Sequence, residues 1–177
     1  APDLALTTNA LGLAKRAQGL RDAGLDRVNI SLDSLDREHY AAITRRDRLG
    51  DVLEGIEAAA RAGLSPIKVN TLVLRGMNEA DLPDLVDYCL DRGIELRVIE
   101  QMPIGPVDTW DRQSILTADE ILHIMGTRHT LDPAQRCFLR GKKAGTHHAI
   151  RRQARAITGI AERIRHGGDD AEHLGRI

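Results

Sequence analysis

Three short segments recur along the chain: DAGL at 22–25, RAGL at 61–64 and DRGI at 91–94. Each lies between a helical pattern and a run of alternating apolar residues. In every copy the Gly stands where a helix ends on a left-handed residue, and the following apolar residue leads into a strand. Repetition of strand, helix and small-residue stop builds βα units, and strands joined through helices lie parallel.

Taken in order, the first strand is LALTTN at 4–9. Leu4, Leu6 and Thr8 share one face, and Ala5, Thr7 and Asn9 share the other. A helix is expected over 11–23, closed by Gly24. The stretch RVNISLDSLD at 27–36 alternates Val28, Ile30 and Leu32 with Asn29, Ser31 and Asp33, which reads as a strand. Ser34 and Asp36 then open a short helix over 37–44. RRDR at 45–48 is a polar loop. Residues 51–62 form an amphipathic helix, with Val52, Ile56 and Ala59 on one face.

Pro66 introduces a third strand over 67–74. Ile67, Val69, Thr71 and Val73 face one way, and Lys68, Asn70 and Leu72 face the other. Asn78 with Asp81 resembles a capping box and opens a helix to about residue 92. A fourth strand over 95–102 places Leu96, Val98, Glu100 and Met102 on one face. Thr117 and Glu120 form a second capping box, opening a helix to about residue 125.

The fold class is therefore α/β. Four strands cannot close an eight-stranded barrel, so either the sheet is open or further strands complete it. Strands of parallel sheets are normally apolar on both faces. Here each strand keeps one polar face, and the interior mouth of a βα barrel is where such a face belongs. The polar groups are Thr7 and Asn9, then Asn29, Ser31 and Asp33, then Lys68 and Asn70, then Glu100 and Met102. Lys68 suits a phosphate or carboxylate. Thr7, Ser31 and Asn70 suit sugar or base edges, and Met102 suits a nucleobase face. Plainer readings stand beside these. Asn29 and Asp33 serve as helix caps, Lys68 as an ion-pair partner of Glu100, and Met102 as core packing.

Charge is unevenly spread. Residues 1–127 carry 14 Lys or Arg against 21 Asp or Glu, whereas residues 128–177 carry 11 against 5. Five of the seven histidines also fall in the latter part. We divide the chain into a barrel part at 1–127 and an atypical basic tail at 128–177. The tail has only Phe138 for base stacking, so nucleic-acid binding is not expected. There is no apolar run of the length that crosses a membrane. Cys89 and Cys137 lie in no metal spacing, and Cys89 reads as a small buried hydrophobe. A cytoplasmic location is the default.

Four segments then agree jointly with one family. LTTN at 6–9, RVNISLDSLD at 27–36, IKVNTLV at 67–73 and LRVIEQMPIG at 96–105 closely resemble the GTP 3',8-cyclase family of radical S-adenosylmethionine enzymes. The resemblance covers roughly residues 1–127, with the family's order and spacing. One small departure is Ala10, where the family usually has Gly. The resemblance implies a partial (βα)6 TIM-like barrel of the radical SAM type, here truncated to about four βα units.

It also implies an activity in molybdenum cofactor biosynthesis. An iron–sulfur cluster cleaves S-adenosylmethionine, the resulting radical takes hydrogen from the ribose of GTP, and the nucleotide closes onto C8 of guanine. The product passes to a cyclic pyranopterin monophosphate synthase. By resemblance, Thr7 and Lys68 match positions that contact GTP. Ser31 and Met102 match positions that contact S-adenosylmethionine.

The family holds its [4Fe–4S] clusters with a CxxxCxxC loop and a later CxxC…C set, and neither matches this sequence. No residue is assigned as a metal ligand or catalytic group, and the chain alone is expected to be inactive. The Arg, Ala, Gly and His content of 128–177 is that of an out-of-frame reading of GC-rich DNA, and a frameshift or mis-joined segment is expected near 128–140. Two rival readings remain. One is a non-catalytic nucleotide-binding barrel module. The other is a Schiff-base barrel enzyme with Lys68 as nucleophile.

Overall fold

The computed structural model describes residues 3–99, 115–129 and 131. Four parallel strands, β1 (Ala5–Thr8), β2 (Arg27–Ser31), β3 (Ile67–Leu72) and β4 (Glu95–Ile99), form one sheet in the order β1-β2-β3-β4. The described helices are α1 (Ala17–Asp22), α2 (Arg37–Thr44), α3 (Leu49–Arg61), α4 (Leu82–Arg92) and α5 (Ala118–Gly126).

Spatial order equals chain order, so every crossover steps the same way along the sheet. Crossovers between parallel strands are right-handed, which puts the connecting helices on one face and leaves the other face free of them. That is the winding of a barrel wall, and a doubly wound sheet would reverse direction at its middle. The partial-barrel expectation is met in this form among the described residues.

Alternation along the strands decides which face meets the helices. Val28, Ile30 and Val69 are fully buried, and Leu96 is nearly so. They join Val52, Ile56 and Ala59 of α3 and Leu85, Val86 and Cys89 of α4 in one core. α3 turns its apolar stripe inward at the spacing expected for a helix lying on a sheet. With so few aromatic residues, this core is built mainly of aliphatic side chains, with Tyr40 of α2 buried among them.

Helix boundaries differ from expectation in three places. The helix expected over 11–23 splits into a 3-10 turn (Leu13–Lys15) and α1, because Gly12 adopts φ 77° and Arg16 leaves helical geometry at φ −122°. α3 begins two residues earlier than expected, at Leu49. The helix after Asn78 starts as a 3-10 turn (Glu79–Asp81) before α4. β4 is described only to Ile99; Met102, Cys137 and the tail at 132–177 lie outside the described residues. The Thr117–Glu120 capping box is present as expected, with both reciprocal hydrogen bonds made.

Candidate functional site

The face turned away from the connecting helices carries two polar rows that cross the sheet at right angles to the strands. In the first, Thr7 pairs with Asn29, Asn29 with Lys68, and Lys68 with Glu95. In the second, Ser31 pairs with Asn70, and Asn70 with Arg97. Residues two apart on a strand point the same way, so both rows open on one side. Thr7 and Ser31 are exposed, while Asn29, Lys68, Asn70, Glu95 and Arg97 are partly covered.

The first row is bonded at its two ends, and between them Asn29 Oδ1 is buried with no hydrogen-bond partner among the described residues. Asn29 Nδ2 donates to Thr7 Oγ1 at 3.2 Å. Lys68 Nζ lies 3.2 Å from Glu95 Oε2, with both side chains only 13% exposed. Arg97 Nε donates to Glu95 Oε1 at 3.1 Å, and Arg97 is 19% exposed. One carboxylate therefore serves two cations. The side chains of Ser31 and Asn70 have no hydrogen-bond partner among the described residues.

The structure corrects the assignment of β4. The sequence reading put Leu96, Val98, Glu100 and Met102 on the polar face. The register with β3 turns Glu95 and Arg97 to that face, and Leu96 goes into the core. Alternation gives the period of a strand and leaves its phase open; the apolar pair Leu96 and Val98 belonged against α4. Lys68 accordingly pairs with Glu95, and Glu100 and Met102 lie outside the described residues. Glu95 and Arg97 are the site residues that the sequence reading missed. Their signal was two charged residues flanking Leu96 in a strand that is otherwise apolar.

The SLDSLD segment does structural work at the end of this face. Asp33 does not cap a helix: its Oδ1 accepts from Leu72 N at 2.8 Å, extending the join between β2 and β3 by a side chain. Burial raises the Asp33 carboxyl above its ordinary range, against the lowering effect of that bond. Asn29 is not a cap either. The cap of α2 is Asp36, whose Oδ1 accepts from Glu38 N and His39 N, each at 2.9 Å.

Asn78 also departs from the capping role read for it. Its Nδ2 donates to Asp33 O at 2.6 Å and to Leu72 O at 2.9 Å, and its Oδ1 accepts from Leu74 N at 2.7 Å. It is 1% exposed and pins the ends of β2 and β3 together.

Residues 2–89 match the model of the Radical SAM superfamily. The chain belongs to that superfamily. A GTP 3',8-cyclase of Corynebacterium glutamicum (strain R) is 54% identical over 132 residues, which is 75% of this chain and 35% of the relative. A GTP 3',8-cyclase 2 of Mycobacterium tuberculosis (strain H37Rv) is 53% identical over 137 residues, 76% of this chain and 38% of the relative. The chain thus spans little more than a third of the length of the curated relatives it matches. Among solved structures, TYW1 with a lysine-pyruvate adduct bound aligns at TM-score 0.51 and 16% identity, covering 71% of this chain and 39% of that one. That likeness concerns the fold.

Radical SAM proteins use S-adenosylmethionine and an iron–sulfur cluster, and the described residues fit the two differently. The unpartnered Ser31 hydroxyl and Asn70 amide, with Arg97 beside them, offer donors and acceptors suited to a nucleoside and a carboxylate. Thiolate ligands for a cluster are not offered. Cys89 is the free cysteine among the described residues; it is fully buried, and burial pushes its thiol up to about 12. No group of three or more His, Cys, Asp or Glu among the described residues is placed to hold a metal. No described helix is long and apolar enough to cross a membrane.

Proposed function

We propose that this chain is the nucleotide-binding part of a GTP 3',8-cyclase. Such an enzyme converts GTP to (8S)-3',8-cyclo-7,8-dihydroguanosine 5'-triphosphate in molybdenum cofactor biosynthesis. The observation that carries the reading is the row Thr7–Asn29–Lys68–Glu95, which lies in a chain more than half identical to proteins named for that reaction over 132 residues. In this reading Thr7 and Lys68 contact GTP, and Ser31 and Met102 contact S-adenosylmethionine. Lys68 supplies a charged donor to the phosphates, and the hydroxyl of Thr7 meets the ribose or base.

In the family, S-adenosylmethionine and [4Fe–4S] clusters supply the hydrogen-abstracting radical. The described residues contribute binding and orientation, and they hold no part of a cluster. Residues 1–127 form the catalytic barrel's wall in this reading, and residues 128–177 are a separate tail arising from a frameshift or a mis-joined segment. The protein works in the cytoplasm and passes its product to a cyclic pyranopterin monophosphate synthase.

Equilibrium dialysis of the 177-residue chain against GTP tests the reading. The chain binds GTP, and Lys68→Ala weakens binding by about tenfold or more, the loss of one charge-assisted contact. Ser31→Ala leaves GTP binding in place and weakens S-adenosylmethionine. Absence of GTP binding at millimolar nucleotide overturns the proposal.

A further inference from the structure

We propose that Glu95 is a positioning residue for the nucleotide, a two-pronged carboxylate that aims Lys68 and Arg97 together at its phosphate chain. The inference rests on the functional reading above and deepens it by naming the group the two cations address.

The geometry supports a shared clamp. Lys68 and Glu95 are register partners on adjacent strands, and Arg97 follows Glu95 by two residues on the same face. The two carboxylate oxygens are divided between them, Oε2 to Lys68 Nζ and Oε1 to Arg97 Nε. All three side chains are shielded, at 13%, 13% and 19% exposed, so their attraction is less screened than that of a surface pair. Two cations brought side by side without the carboxylate would repel and splay apart. Between the prongs, Lys68 keeps two of its three N–H donors, and Arg97 keeps its terminal N–H groups. Those donors have no partner among the described residues. A ligand that satisfies them presents several acceptor oxygens in a row, as an oligophosphate does.

Among the described residues, the neighbouring charges Arg27 and Asp33 do not compete for the role. Arg27, one row away, is held by Asp3 at 2.8 Å. Asp33 is engaged with Leu72 N.

Charge alone and positioning predict opposite signs for one substitution. A carboxylate beside an anion site weakens anion binding through space, so neutralising it would tighten GTP. A carboxylate that holds two cations in place strengthens binding, so neutralising it loosens GTP. The test is GTP dialysis on the full chain with Glu95→Gln, Lys68→Ala and the double variant, with far-UV circular dichroism as the check on folding. We expect Glu95→Gln to weaken GTP by about fivefold to tenfold. That effect shrinks in the Lys68→Ala background, because Glu95 acts through Lys68. Glu95→Asp keeps the charge on a shorter arm and restores part of the affinity; it carries the test should Glu95→Gln not fold. Tighter or unchanged binding in Glu95→Gln, or an undiminished effect in the double variant, overturns the clamp while the functional reading stands. A wild-type chain that binds no GTP overturns both.

Discussion

Gly55 lies against Ala10, so close that a Cβ on Gly55 would fall 2.8 Å from the Ala10 carbonyl oxygen and 3.1 Å from its Cβ. Ala10 turns the chain out of β1 with φ 61°, a left-handed conformation that is costly for any residue with a side chain, and it is fully buried. α3 therefore rests directly on the turn that follows Thr7. Gly55→Ala forces the two apart and costs about 1–3 kcal/mol, as overpacking does. Ala10→Gly relieves the turn and adds up to ~1 kcal/mol. Urea unfolding of both variants checks the opposite signs.

Asn78 makes three hydrogen bonds in a nearly dry setting. Asn78→Ala leaves one N–H and two carbonyls without their partner and costs about 2–4 kcal/mol. Asn78→Asp is worse than Asn78→Ala, since a carboxylate cannot donate and would face the oxygens of Asp33 and Leu72. Thermal unfolding ranks the two.

His39 Nδ1 lies 2.8 Å from Asp81 Oδ2, the same oxygen that accepts from the buried Ser34 hydroxyl at 2.5 Å. The bond to Asp81 raises the His39 imidazole above its ordinary 6.5. A raised folded-state pKa contributes stability that is fully present below 6.5 and is lost as pH climbs through the raised value. The thermal midpoint of the wild type therefore falls as pH rises above 6.5 through that raised value, and His39→Ala removes that part of the slope. An identical slope in the variant would place the titration elsewhere.

Glu120 accepts from Thr117 N and from the Arg75 guanidinium. The Thr117 backbone bond first, and Arg75 after it, hold the carboxyl down from 4.5 to about 2. Its contribution is present above pH 4.5 and is lost as pH falls toward 2. Protection of the α5 amides, taken relative to the intrinsic exchange rate at each pH, should fall across that acid window in the wild type. Thr117→Ala should already exchange faster at neutral pH.

Much of this was readable from the residues alone. The alternation in β1, β2 and β3 announced both faces correctly, because each strand sets apolar residues against hydroxyl, amide or lysine side chains. β4 was harder. Glu95, Arg97 and Ile99 mix charge with an apolar residue on one face, and the sequence does not state which neighbour each will meet. The latch at Asn78 was misread because spacing to Asp81 is a local cue, whereas Asp33 O, which it bonds, is 45 residues away. The Ser34–Asp81–His39 contacts were unreadable for the same reason: they join two βα units through side chains only.

The polar row has a consequence for how this sequence can drift. Its members come from four strands, and their alignment exists only in the ladder's register. Inserting residues in the turns that follow Arg61 or Arg92 leaves the row intact. Deleting a single residue inside β3 would swing Lys68 to the helix side and bring Val69 in front of Asn29 and Glu95. Length changes in the loops are thus neutral, and the same change two or three residues away erases a charge from the face. Tolerance to insertion and deletion along the chain should therefore rise and fall with the period of the βα repeat.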